Sequence, residues 1–353
     1  MPAARSGIKV GVVGATGMVG RELLAFLEKS RFPVGELLPF SSGKQRKSVR
    51  FKGRGLLAPT IDEKRLSECD LVFFVSADEV SRDLAPGLSA SGVWVIDDSS
   101  AFRLDPKVPL IIPEVNASAL SPSQRLIAGP NCTLTGLAVA GYPLHKAFGV
   151  AEVRMASYQS VSGAGRSALE ELLGQLKASS PAALRRGQAP VLDARKLRAR
   201  ALPAPIAFNV IPQVGSFDGQ GFSAEENKVA AELRKIWRAP DIKISVTAVR
   251  VPVLRGHSLS AWITLWRPAT TAAASEVLAH APGLALDNNG GYPTPLSCAG
   301  RSGVFAGRLR AGTSDRELCL WIVSDNLLKG AAQNSVQIAQ ELLDRGWLRR
   351  DTS

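Results

Sequence analysis

Apolar residues in the first hundred positions come in short unbroken runs. IKVGVV at 8–13, LVFFVS at 71–76 and the VWVI that opens VWVIDDSS at 93–100 are each the length of one strand, and such dense runs suit strands covered on both faces. Between them the spacing changes. RELLAFLEKS places Leu23, Leu24 and Leu27 at helical intervals directly after a glycine-rich turn. Strand, turn and helix in that order, followed by further strand-length runs, predict a parallel α/β sheet of the Rossmann type over the first ~130 residues.

After Cys132 the texture differs. Longer strand candidates, VRMASYQSV, IKISVTAVRVPV and LSAWITLW, are separated by the helical stretches ALEELLGQLKAS and EENKVAAELRKIW, which predicts a second domain of α+β type. Residues 178–206, rich in Ala, Arg and Pro, have no clear period and read as an excursion from that domain. The ending DNLLKGAAQNSVQIAQELLDRGW reads as one long amphipathic helix with Leu328, Ala332, Val336 and Ala339 on one face. The expected division is a first domain at 1–131, joined by the C-terminal helix 327–348, and a second at 132–326. There is no internal repeat.

A chain of 353 residues has room for two well-buried cores, and 45% hydrophobic with 21% charged residues is ordinary for a packed protein. The apolar run at 134–144 is broken by Gly136, Gly141 and Pro143, short of the ~20 residues a membrane helix needs. The opening MPAARSGIKVGVVGATG has no apolar segment of signal-peptide length, so the chain reads as unexported and cytoplasmic. Cys69, Cys132, Cys298 and Cys319 lie far apart without a CxxC pair, which points to neither a metal site nor a disulfide framework. The net charge of +12 is uneven: Lys44, Arg46, Lys47, Arg50, Lys52 and Arg54 form one acid-free cluster and 185–200 holds another. No recognised nucleic-acid-binding motif accompanies these cations, so anionic small ligands and solvated surface explain them better than nucleic acid does.

Gly11, Gly14 and Gly17 form GxxGxxG directly between a strand and a helix, the context in which backbone can approach a pyrophosphate at a helix N-terminus. An NAD site normally carries an acidic residue about 20 positions on, at the end of the second strand. Here ELLPF ends in Ser41, Ser42, Gly43, Lys44, Gln45 and Arg46, a run of hydroxyls and cations that suits a 2′-phosphate and favours NADP. Cys132 lies in GPNCTLTGL, where Pro130 and Asn131 make a turn and a helix follows; a helix N-terminus stabilises a thiolate.

GVVGATGMVGREL, VIDDSSAFRLDPKVPLIIPEVN, GPNCT, SYQSVSGAGRSALEEL, FNVIPQVGSF, RVPVLRGHS, YPTP, GRLR and VSDNLLKGAAQNSVQIA resemble, in this order, the motifs of aspartate-semialdehyde dehydrogenases. The resemblance spans nearly the whole chain and is weakest between about 174 and 205. It implies NADPH-dependent reductive dephosphorylation of L-aspartyl 4-phosphate to L-aspartate 4-semialdehyde by a homodimer. Cys132 would be the nucleophile that forms a thioester, His257 the acid/base, and Gln159 and Asn131 further catalytic-site residues. Arg250 would clamp the substrate α-carboxylate, Glu225 would meet its ammonium, and Lys228 with Arg103 would hold the phosphate. Contacts to the cofactor would come from Gly11, Gly14, Thr16, Gly17, Met18 and Val19 of the turn, from Ser41 and Ser42, and from Ser162, Gly163 and Asn326. Imidazole titrates near neutrality, which suits the proton transfer expected of His257; His145 and His280 sit in no motif and read as structural or exposed.

Two positions depart from the family's usual NPNC and DNSSAFR: Gly129 and Asp98. Asp98 adds negative charge near the expected anion site and would either weaken it or pair with a neighbouring cation. The nucleophile strings of N-acetyl-glutamyl-phosphate reductase and glyceraldehyde-phosphate dehydrogenase, HPGC and SCTT, are absent. Malonyl-CoA reductase would need neither Arg250 nor Glu225. The alternative from another class is a divergent, non-catalytic or altered-substrate paralogue; losing Cys132 or His257 would mark it, and both are present.

Overall fold

The computed structural model describes residues 7–41, 47–178, 198–287 and 289–348. Two compact units emerge: the described residues of Met1–Tyr142, Ala231–Pro240 and Leu327–Ser353, and those of Pro143–Ala230 and Asp241–Asn326.

The first unit is built on a parallel sheet whose strands lie in the order Val34–Phe40, Ile8–Val13, Leu71–Phe74, Trp94–Asp97 and Leu126–Ala128. All residues of Ile8–Val13, Leu71–Phe74 and Trp94–Asp97 are buried, which is why these segments are unbroken apolar runs. The edge strand Val34–Phe40 tolerates Pro39, because an edge position need not donate a ladder hydrogen bond. The helix Met18–Lys29 buries Gly20, Leu23, Leu24 and Leu27. From Ile8–Val13 the chain moves first to one neighbour and then crosses to the other, so the turn after this strand lies at the topological switch point where doubly wound sheets bind ligands.

The described part of the basic cluster forms a hairpin. Lys47–Phe51 pairs antiparallel with Arg54–Ala58 through Lys52 and Gly53, both with positive φ. Val49 and Phe51 point into the core, and Lys47 and Arg50 into solvent.

The C-terminal segment differs from the single long helix expected. A wide π-type turn, Leu328–Ala332, precedes the α-helix Gln333–Asp344. Two demands meet there. Gly330 lies so close to Cys132 that a Cβ would sit 2.8 Å from the cysteine Cβ, and the fully buried Lys329 ammonium must reach Glu114 at 2.6 Å, Gln337 at 2.8 Å and Asn334 at 3.0 Å. Leu328, Ala332, Val336 and Ala339 are all buried as their spacing predicts.

The second unit carries a mixed sheet in the order Leu284–Leu286, Val304–Ala311, Glu317–Ser324, His257–Leu265, Val150–Gln159 and Lys243–Arg250. Val150–Gln159 and Lys243–Arg250 run parallel, and His257–Leu265 runs antiparallel to both its neighbours. The ends of Val150–Gln159, Lys243–Arg250 and Glu317–Ser324 therefore meet the beginning of His257–Leu265 at one end of the sheet. Among the described residues no helix is long and apolar enough to cross a membrane.

Burial alone would raise the Glu114 pKa, but the charge and hydrogen bonds of Lys329 outweigh it and hold the carboxyl below its usual range. Glu114→Gln should therefore cost about 3 kcal/mol, because it strands a buried ammonium. Urea unfolding at pH 7 checks this, and a loss under 1 kcal/mol would show the ammonium is compensated by Asn334 and Gln337 alone.

Candidate active site

The site residues fall into one cluster in each unit. In the first, Gly14 takes φ +88° and has its Cα so near Val75 that a Cβ would come 2.5 Å from the Val75 carbonyl oxygen. A Cβ on Gly20 would likewise lie 2.3 Å from the Gly14 oxygen, so the helix starts pressed against the turn. Its N-terminus has no side-chain cap and no acidic residue in the first turn. Such an uncapped end, with Gly17 exposed at it, suits a phosphate group, and these residues fit a dinucleotide. Thr16, Met18 and Val19 are half-buried along this approach and Gly17 is exposed. Gly11 lies lower, inside the strand, where a Cβ would meet Leu66, Cys69 and Val72; its smallness serves packing. Ser41 is buried and donates its N–H to the Pro59 oxygen at 2.8 Å, while Ser42 lies outside the described residues.

Asn131 caps the helix Cys132–Phe148. Its Oδ1 accepts the Thr133 N–H at 2.8 Å and the Leu134 N–H at 3.1 Å, which sets Cys132 at the first helical position. Of the four cysteines, Cys69, Cys298 and Cys319 are buried and Cys132 is partly exposed. Burial pushes the Cys69 thiol up to about 12 and raises those of Cys298 and Cys319, so none of these three is a nucleophile at neutral pH.

Arg103 lies beside this turn. Its guanidinium donates to the Asp98 carbonyl oxygen at 2.6 Å and to Glu232 Oε1 at 3.3 Å, and its Nε is buried with no hydrogen-bond partner among the described residues. Burial works against the charge, but Glu232, the Cys132 sulfur and Asp98 together outweigh it and hold the arginine above its ordinary pKa. A cation fixed next to the thiol favours the thiolate and an oxyanion alike.

In the second unit the sheet topology gathers the remaining residues. Gln159 and Arg250 end their strands as register partners, His257 begins the antiparallel neighbour opposite Ser324, and Asn326 follows two residues later. The Ser160 N–H donates to His257 Nδ1 at 3.1 Å, so in the neutral imidazole Nδ1 is the acceptor and the proton resides on Nε2. Asn326 Oδ1 accepts the Gly256 N–H at 2.9 Å and the Ser160 hydroxyl at 3.1 Å, and its amide donates to Ser162 Oγ at 3.0 Å. Both Ser162 and Asn326 are thus committed to the frame around the imidazole. Gly163 must be small, since a Cβ would lie 2.9 Å from Arg250 Nη1 and 3.1 Å from the imidazole ring. Arg250 donates to the Ser160 carbonyl at 2.8 Å, and Gln159 donates to Glu225 Oε1 at 3.1 Å. Lys228 sits half-buried three residues past Glu225 on the helix Ala224–Trp237.

The imidazole does not titrate near neutrality as its residue type led us to expect. Burial, and then the charge of Arg250, push it down to about 3. It is a neutral group with an Nε2–H to donate. His145 accepts the Val150 N–H at 3.1 Å and His280 is exposed. Sequence reasoning missed Ser160, Glu232 and Lys235; the last two lie seven and ten residues after Glu225, on its helical face, a spacing that could have marked them.

Residues 9–123 match the family model described as semialdehyde dehydrogenase, NAD binding domain, and 142–329 match its dimerisation domain. Aspartate-semialdehyde dehydrogenase of Synechocystis sp. is 38% identical over 97% of this chain and 99% of its own length. That of Aquifex aeolicus is 39% identical over 96% and 99%. Aspartate semialdehyde dehydrogenase II of Vibrio cholerae, solved in complex with ASA, superposes with a TM-score of 0.88 at 34% identity, covering 96% of this chain and 98% of that one. The chain belongs to the aspartate-semialdehyde dehydrogenase family. Membership carries the Rossmann-type fold and a nicotinamide cofactor with it.

Against the family pattern, Asp98 and Gly129 form one feature. A Cβ at Gly129 would lie 2.3 Å from Asp98 Oδ1, so the missing side chain makes the space the carboxyl occupies. Ser335 donates to that oxygen at 2.5 Å, and Oδ2 is buried with no hydrogen-bond partner among the described residues. The pairing with a cation that the sequence allowed is absent as a hydrogen bond: Arg103 takes the main-chain oxygen instead. Burial pushes the Asp98 carboxyl up to about 6, with the Ser335 hydrogen bond opposing it. An acid raised in the folded state stabilises the fold below its unfolded pKa and loses that contribution as pH climbs toward the folded value, here between about 4 and 6. Asp98→Asn should therefore gain up to about 3 kcal/mol over the parent chain at pH 8, the gain shrinking to near zero at pH 4. Urea midpoints across this range test it, and parallel curves for the two proteins would remove the buried ionisation.

Proposed function

We propose that this chain catalyses the NADPH-dependent reductive dephosphorylation of L-aspartyl 4-phosphate to L-aspartate 4-semialdehyde, a step toward lysine, threonine and methionine. The observation that carries the proposal is the partly exposed Cys132 at the start of an Asn131-capped helix, with the Arg103 guanidinium beside it. In this reading the Cys132 thiolate attacks the acyl carbon, the C–O bond to phosphate breaks, and Arg103 and Lys228 hold the departing anion. Covalent capture leaves a thioester on Cys132. The nicotinamide, when bound, supplies a hydride to that acyl carbon. The His257 Nε2–H then stabilises the negative oxygen by donating to it, and the oxyanion collapses by expelling the Cys132 thiolate with the aldehyde. A neutral donor is enough for this step, so a pKa near 3 is compatible with it.

Arg250 suits the substrate α-carboxylate and Glu225 its ammonium, with Gln159 orienting Glu225. Preference for NADP is supported by Ser41 and the Lys44 and Arg46 that follow, where an NAD site would carry a carboxylate. A homodimer is supported by the match to the dimerisation domain. A reducing cytoplasm suits a thiol nucleophile.

Absorbance of reduced cofactor, followed with aspartate semialdehyde, phosphate and NADP and in parallel with NAD, tests reaction and cofactor together. Rapid phosphate-requiring reduction of NADP is expected; a folded protein that binds NADP and reduces nothing would be the divergent paralogue. Cys132→Ala should abolish turnover with NADP affinity within about twofold of the parent, since the thiol is no part of the glycine turn. Residual turnover would shift the nucleophile elsewhere. Arg250→Leu should lower kcat/KM for the aldehyde about a hundredfold or more and leave NADP binding intact, and an unchanged rate would remove the clamp.

A further inference from the structure

The helix that carries Glu225 and Lys228 continues to Trp237, and its last turns bear Glu232 and Lys235, charged residues that the reaction scheme leaves without a role. Glu232 is almost fully buried. Its two carboxylate oxygens do different things: Oε2 accepts the Asn131 N–H at 2.7 Å, in the turn that delivers Cys132, and Oε1 accepts from Arg103 Nη1 at 3.3 Å. Lys235, one turn later, donates to the carbonyl oxygens of Arg103, Asp105 and Val108 at 2.8, 2.6 and 2.8 Å. An ammonium has three protons, and here each meets a carbonyl of the loop that bears Arg103. Side chain and backbone of the arginine are thus fixed by neighbours on a single helical face.

We infer that Glu232 and Lys235 are positioning residues for the anion subsite: they hold Arg103 beside Cys132 so that its guanidinium receives the phosphate group of the substrate. The inference rests on the proposed reaction and adds to it the residues that make Arg103 competent. A carboxylate beside an anion site would, through its charge alone, oppose anion binding. Neutralising it should then tighten phosphate. Positioning makes the opposite prediction for Glu232→Gln. When the amide oxygen keeps the Asn131 N–H, the amide NH2 faces Arg103 Nη1, donor against donor, and the guanidinium is pushed from its place.

The test is alkylation of Cys132 by iodoacetamide, followed by mass spectrometry of its peptide, over a series of inorganic phosphate concentrations. This readout needs no turnover. In the parent chain phosphate should protect the thiol. Glu232→Gln and Lys235→Met should each raise the phosphate concentration for half-protection by roughly tenfold, the loss of one well-placed charge-assisted contact, while NADP affinity measured by fluorescence stays within about twofold. Tighter or unchanged phosphate in Glu232→Gln overturns the role of Glu232, and unchanged phosphate in Lys235→Met overturns that of Lys235. Should one variant fail to fold, the other decides alone. Absence of protection in the parent chain is a different failure: it overturns the proposed phosphate chemistry of Arg103 itself.

Discussion

A charge withdrawn from water needs partners inside the protein, and in the first unit that requirement shapes the backbone around Cys132. Glu232 is buried because Asn131 and Arg103 both need an acceptor, and Lys329 is buried because Glu114, Asn334 and Gln337 surround it. The turn before the nucleophile and the wide turn that packs Gly330 against it are each held by one such group. Removing a partner does not merely delete a contact. It leaves an uncompensated charge, so the polar framework persists as a whole.

The second unit achieves its arrangement by topology. Antiparallel placement of His257–Leu265 between two strands running the other way brings a strand beginning level with two strand endings. Residues separated by ninety or more positions, such as Ser160 and Arg250, then become hydrogen-bond partners. The His257 ring is oriented by a main-chain N–H and a serine–asparagine network. Burial and the charge of Arg250 leave the imidazole neutral, and a neutral donor is electrostatically quiet until an oxyanion forms.

Much of this was readable from spacing. The buried strands announce themselves because both faces are covered, and the turn at Gly14 because strand, glycine and helix adjoin. The helix Asp78–Ala90 was not legible, since Pro86 interrupts its pattern, and neither was the wide turn at Lys329, because nothing in LKGAA tells that its lysine will be buried. For the candidate site, residue types suggested what each group could do, but the protonation of His257 follows from burial and the adjacent Arg250, which are properties of the folded chain. Glu232 and Lys235 share helical spacing with Glu225, which could mark them, but what they hold is shown only by partners over a hundred positions away.

The contact between Asp98 and Gly129 also bears on how this sequence could have changed with time. With the Asp98 carboxyl where it stands, a Cβ at 129 would meet its Oδ1 at 2.3 Å, so a larger residue at 129 is accommodated only if that side chain moves. The effect of enlarging 129 therefore depends on what stands at 98, and substitutions at the two positions should not be additive in stability. Positions 98 and 129 are one unit of change in the nucleophile loop rather than two.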